Sequence, residues 1–208
     1  VTTPTLKRTP LYEAHKNLGG RLIEFGGWEM PVQYTGIVDE HLAVRTAAGI
    51  FDISHMGEVT VDGAQAEVCL NQLLTNDIRK LAPGQGQYTL MCNERGGVVD
   101  DLYVYRLTAT DFLLIINASR IMDDVAWMEK NLEAFGGRDG VQLRNVSDET
   151  GAVAVQGPRV VEFIDSCFAG PSVGGTPVQK LTDLKKNQLA KFAFGGRNIW
   201  IARTGYTG

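Results

Sequence analysis

Two neighbouring carboxylates, Asp100 and Asp101, lie in the run Val98-Val99-Asp100-Asp101-Leu102-Tyr103-Val104-Tyr105. Its β-branched and aromatic residues mark a strand. Successive side chains of a strand point to opposite faces, so the two carboxylates cannot share one site. Val99, Asp101, Tyr103 and Tyr105 form one face, and Val98, Asp100, Leu102 and Val104 the other. One carboxylate is therefore set among apolar side chains whichever face is buried. Desolvation raises a carboxylate's pKa and suits it to holding or passing a proton. The same pair would also serve as turn and edge residues of a hairpin at Gly96-Gly97, and both readings stand.

Other constellations carry less. Asp52-Ile53-Ser54-His55 holds the residue types of a hydrolytic triad, but triads are assembled from distant segments and adjacent residues reach one another poorly. His55 reads as a satisfied core or turn histidine and Met56 as a gap-filler. With His15, His41 and His55 unpaired on any helical face, no metal site is expected. Gly84-Gln85-Gly86 lacks the Lys-Ser/Thr of a phosphate loop and the further glycine of a dinucleotide fingerprint. Tyr88, Trp28 and Tyr34 could stack on a flat heterocycle or fill a core. Asn117 reads as a helix cap. Cys69, Cys92 and Cys167 are odd in number and widely spaced, which fits buried thiols rather than disulfides or zinc ligands.

The elements that must hold these residues follow from periodicity and punctuation. Helices are expected over 11–18, 38–48 and 64–74, and from Asn117 or Ser119 to Phe135, where Gly136-Gly137 ends the last. Strands are expected at 21–25, around Val59 and Val61, at 88–93, 98–107 and 112–117, and at 141–146, 152–156 and 198–203. Trp28 to Tyr34 reads as an extended aromatic loop, and the stretches 76–86 and 169–177 as loops. A further helix begins at Pro158. The fold class is α+β, with antiparallel and mixed sheets and packed helices. An inserted α+β domain at 52–141 carries the Asp-bearing strand. Residues 1–51 and 142–208 form a first, discontinuous and incomplete domain.

Composition excludes several classes. Of the 208 residues 44% are apolar and 21% charged, ordinary usage for a packed protein. Asp and Glu total 24 against 20 Lys and Arg, and the basic residues are scattered, so no nucleic-acid footprint is expected. No run of about 18 apolar residues offers a membrane span, and the first ten residues do not resemble a signal peptide. A soluble protein is expected, cytoplasmic or, in a eukaryote, in the mitochondrial matrix.

Arg8-Thr9-Pro10-Leu11-Tyr12, Gly26-Gly27-Trp28, Pro31-Val32-Gln33-Tyr34, Val44-Arg45-Thr46, Phe51-Asp52-Ile53-Ser54-His55-Met56, Gly96-Gly97-Val98-Val99-Asp100-Asp101-Leu102, Asn117-Ala118-Ser119, Val155-Gln156-Gly157-Pro158 and Gly205-Tyr206-Thr207-Gly208 together resemble the T-protein of the glycine cleavage system. Their number and order along the whole chain make the likeness specific. The resemblance implies the folate-binding T-protein-like fold without its C-terminal domain, and an aminomethyltransferase. Its partner would be lipoylated H-protein and its co-substrate tetrahydrofolate, with ammonia released, methylene-tetrahydrofolate formed and no metal required. Asp101 matches the family's catalytic aspartate, beside the folate nitrogen that attacks the aminomethyl carbon. Met56, Tyr88 and Asn117 match positions lining the folate pocket.

In the family a glutamate follows Gly-Tyr-Thr-Gly and hydrogen-bonds the pterin, and later domains add further contacts, including an arginine. This chain ends at Gly208, so on its own it is expected to bind folate weakly or not at all. Two other classes were weighed. A non-catalytic folate-binding assembly factor of the same superfamily carries a Lys-Gly-Cys-Tyr motif that none of the three cysteines matches. A methylamine-oxidising flavoenzyme would carry a flavin domain ahead of residue 1.

Overall fold

The computed structural model describes residues 5–134 and 140–205. In chain order they form α1 (Tyr12–Asn17), β1 (Arg21–Phe25), β2 (Trp28–Gln33), α2 (Ile37–Thr46), β3 (Gly49–Asp52), β4 (Gly57–Asp62) and α3 (Ala66–Leu73). There follow β5 (Gln85–Cys92), β6 (Val98–Arg106), β7 (Asp111–Ile116), α4 (Ile121–Ala134), β8 (Gln142–Asn145), β9 (Val153–Gln156) and α5 (Val160–Phe163). The last strands are β10 (Gly174–Gly175), β11 (Leu189–Phe194) and β12 (Arg197–Ala202). The architecture is α+β. Every ladder between these strands is antiparallel, and an isolated bridge between Lys7 and Trp28 runs parallel. The expected end of α4 at Phe135 to Gly137, and Tyr206-Thr207-Gly208, lie outside the described residues.

The chain divides into two compact units, Val1–His55 with Ser147–Glu162, and Met56–Val146 with Phe163–Gly208. In the first, β1 and β2 form a hairpin through Gly26 and Gly27, whose φ angles of 59° and 87° are those a two-residue primed turn demands. The expected loop at Trp28 to Tyr34 is therefore largely a strand. Pro31 argues against one, yet it sits beside the register shift at Arg21/Leu22, where a ladder tolerates it. A second unexpected strand is β3, four residues long, which pairs with β9.

One buried network pins this unit. His15 Nε2 donates to Asp52 Oδ2 at 2.8 Å, and His15 Nδ1 shares a hydrogen bond of 2.7 Å with the Tyr34 hydroxyl. Burial pushes the Asp52 carboxyl up, but hydrogen bonds from His15 and Ser54 help to outweigh it and hold the group below its ordinary range. Asp52 thus meets His15 and not the neighbouring His55. The His55 Nδ1 is buried with no hydrogen-bond partner among the described residues, contrary to the expected satisfied histidine, and its ring packs edge-on against Phe25 at 5.7 Å.

The second unit is built on a five-stranded sheet in the order β5-β6-β7-β4-β8. Strand alternation gives it an apolar face of Val59, Val61, Leu102, Val104, Phe112, Leu114 and Ile116, which is buried with Leu70 and Leu73 of α3 and Met128 and Leu132 of α4. The sheet β10-β11-β12 is tied to the start of β5, where Leu189 N–H donates to Gly84 O at 2.7 Å and Gly86 N–H to Asn187 O at 2.8 Å. Cys69 and Cys92 are half-buried, but Cys167 is exposed, against the expectation of a buried thiol.

Gly57, the first residue of β4, sets how closely α4 approaches. A Cβ there would lie 2.5 Å from Ile116 Cγ1 and 2.7 Å from Ile121 Cγ1. Gly57→Ala is therefore expected to cost about 1–3 kcal/mol by overpacking, read as a lower midpoint in urea unfolding with unchanged slope.

Candidate active site

Three strand ends converge beneath the start of α4. Tyr103 pairs with Ile115, and carrying that register two residues further sets Asp101 across from Asn117. Gly57 pairs with Ile116, and one residue further Met56 faces Asn117 from the other side. Leu90 pairs with Asp101. Leu90, Asp101, Asn117 and Met56 therefore make one row across the sheet, on the face away from α3 and α4. The next row on that face is Tyr88, Tyr103, Ile115 and Glu58. All four sequence-chosen residues, Asp101, Asn117, Met56 and Tyr88, are thus on one face within two rows.

Asn117 stands at the N-cap position of the turn that leads into α4, but its side chain is used elsewhere. Its side chain makes no capping bond, and its Nδ2 instead donates toward Asp100 Oδ1 at 3.0 Å, Asp101 O at 3.1 Å and Asp101 Oδ1 at 3.3 Å. The backbone N–H of Asp101 adds a bond of 2.9 Å to Asp100 Oδ1. The two carboxylates were expected to share nothing, and here one amide group serves both. The reason is local. A register irregularity at Met91/Cys92 distorts the β5–β6 ladder beside Asp100, and Asn117, just past the end of β7, reaches both faces from the strand's end.

The surroundings are aromatic. The rings of Tyr103 and Tyr105 lie 4.7 Å apart, in space that Gly86 leaves open, since a Cβ there would meet both rings. The Tyr103 hydroxyl is buried without a hydrogen-bond partner among the described residues, and burial and the Tyr105 hydroxyl raise its pKa. Tyr105 shares a hydrogen bond with Thr204. Tyr88, on edge strand β5, is 55% exposed and opposite Tyr103. A carboxylate, an amide, a tyrosine hydroxyl and aromatic walls on one face suit a flat, polar-edged heterocycle carrying a basic nitrogen.

Two acids that sequence reasoning did not single out belong to this region. Glu58 is buried, and desolvation pushes its carboxyl to about 8. Asp124, buried in α4, is pushed to about 8 by desolvation and then by Asp100. Asp124 left a signal, because Asp124, Met128 and Leu132 recur at four-residue steps and place an acid on the helix's core stripe. Glu58 left none, since it alternates with Val59 and Val61 as a solvated strand residue would.

The helix-backed antiparallel sheets that carry this centre form a fold that recurs in solved structures. Over 97% of this chain and 51% of the other, it is similar to the glycine cleavage system aminomethyltransferase T of Bartonella henselae, with a TM-score of 0.79 and 33% identity. The heterotetrameric sarcosine oxidase of Corynebacterium sp. U-96 shares the fold alone, with a TM-score of 0.52 at 13% identity over 81% of this chain and 77% of that one.

Residues 11–208 match the family described as the GCVT N-terminal domain, and the chain belongs to that family. It is 46% identical to the aminomethyltransferase of Halalkalibacterium halodurans and 46% to that of Bacillus subtilis, over 98% of this chain in each case. The chain spans about half the length, 52%, of these curated relatives.

The raised Glu58 carboxyl makes stability depend on pH. Its folded value of about 8 lies above the ordinary 4.5, so the folded state keeps a proton that the unfolded chain releases. That contribution is complete below pH 4.5 and is lost as pH rises through about 8. Glu58→Gln is expected to remove up to about 1.4 kcal/mol per pH unit of this slope, measured by denaturant unfolding between pH 5 and 8.5.

Proposed function

We propose that this chain supplies the folate-facing centre of a glycine-cleavage aminomethyltransferase. The reaction would take the aminomethyl group from the lipoyl arm of H-protein, release ammonia and yield methylene-tetrahydrofolate. The observation that carries the reading is the Asp101 carboxylate, held by the Asn117 amide on the aromatic face of the sheet. Family membership and relatives named aminomethyltransferase support it.

Two nitrogens of tetrahydrofolate would bond to the aminomethyl carbon, one as its C–N bond breaks and ammonia leaves, the other as its C–S bond breaks and the lipoyl thiol is freed. Asp101 orients the first of these nitrogens and takes up its proton, work of positioning and electrostatics rather than covalent catalysis. Asn117 holds Asp101 in one rotamer by donating to it. Tyr88 and Tyr103 provide faces for the ring, and Met56, at the far end of the row, supplies an adaptable apolar contact.

Assay of tetrahydrofolate-dependent ammonia release from aminomethyl-loaded H-protein, with the full-length protein, tests this. Asp101→Asn is expected to lower kcat by about 100- to 10,000-fold, the usual range for a lost proton-transfer group. Undiminished activity in that variant would refute the assignment. Calorimetric titration of the 208-residue chain alone with tetrahydrofolate is expected to give weak binding or none, and tight saturable binding would show the pocket to be complete within it.

A further inference from the structure

Asp124 has no solvent-exposed surface, and neither of its carboxyl oxygens meets a donor among the described residues. Asp100 Oδ2 is likewise buried without a donor. Asp100 points to the helix side of the sheet with Leu102, and its side chain interacts with that of Asp124. Two carboxyls in contact within an apolar core cannot both be anions, so a proton must lie between them. Asp100 Oδ1 already accepts from Asn117 Nδ2 and from the Asp101 N–H, so the proton between the pair is Asp124's to donate.

We infer that Asp124 is a positioning residue. It shares one proton with Asp100, and Asp100 so held anchors the Asn117 amide that holds Asp101.

The other charges that bear on Asp124 are Arg120 and Asp123 at the start of its own helix, and Asp100 across from it on β6. Arg120 is engaged by Asp123 at 2.6 Å, which limits what it offers Asp124. Leu102, two residues on along β6, and Met128, one turn on along α4, belong to the buried core and bring no charge. Loss of the shared proton at alkaline pH leaves two facing anions in a dry interior. Asp100 must then turn away, and Asn117 loses its anchor. The consequence for folate rests on the function proposed above, but the proton itself does not.

Carboxyl 13C and side-chain amide NMR of the intact protein, followed from pH 5 to 9.5, tests the proposal. One aspartate is expected to titrate near 8 and to be missing from Asp124→Asn. The Asn117 amide resonance should move with the same midpoint in the wild type and stay still in Asp124→Asn, whose own amide donates to Asp100 at every pH. Asp124→Leu, which cannot donate, should displace that resonance throughout.

An Asn117 resonance indifferent to pH, or the absence of a high-midpoint aspartate, would overturn the inference even if Asp124→Leu does not fold. In the active full-length enzyme, Asp124→Asn should abolish an alkaline decline in kcat/KM near pH 8 at unchanged thermal midpoint or higher. A wild type that shows the titration but transfers no aminomethyl group would refute the function and leave the shared proton standing.

Discussion

One amide group joins three acceptors at the end of the central strands. Asn117 Nδ2 lies within 3.0 to 3.3 Å of both aspartate carboxylates and of the Asp101 carbonyl. An amide nitrogen carries two hydrogens, so it can satisfy this many acceptors only by lying between them. That requirement places Asn117 just past the end of β7, brings Asp101 opposite it, and commits Asp100 to the helix side. Asp124 is then drawn into the core, because Asp100 has an oxygen left that only a proton-bearing group can fill.

The remainder of the second unit divides its labour between two faces. The face toward α3 and α4 is apolar and closely packed, and it fixes the strand order. The other carries the aromatic, acidic and amide groups. The same layer arrangement persists in a sarcosine oxidase at 13% identity, because burying one sheet face under helices asks only for apolar residues at alternate positions. Chemistry on the opposite face is free to differ.

Much of this was legible in the sequence where local pattern decides. Strand alternation placed Asp100 and Asp101 on opposite faces, and the meander of β5, β6 and β7 followed from Gly96-Gly97 and Thr110-Asp111. Other features were hidden. β3 is too short for periodicity to register and depends on a distant partner. β2 carries a proline that a bulge accommodates. The bond from Asn117 to both carboxylates depends on a register irregularity, which a regular alternation rule excludes. Asp52 shows the same limit, for its partner is His15 rather than the adjacent His55, a pairing set by tertiary contact alone.

β3 pairs with β9 across a gap of about a hundred residues, Gly49 opposite Gln156. A ribosome delivers the first strand long before the second, so this ladder cannot close during early synthesis. Within that gap, however, β4 and β8 are hydrogen-bonded neighbours, and Val146 N–H reaches Glu58 O at 2.9 Å. Once the intervening residues have folded, their two ends emerge side by side. The open loop shrinks to an effective length of about ten residues, and the entropy of closing it falls by about 2 kcal/mol. The β3–β9 ladder is thereby made the later one to close, after the β4–β8 ladder has gathered the chain on either side of the gap.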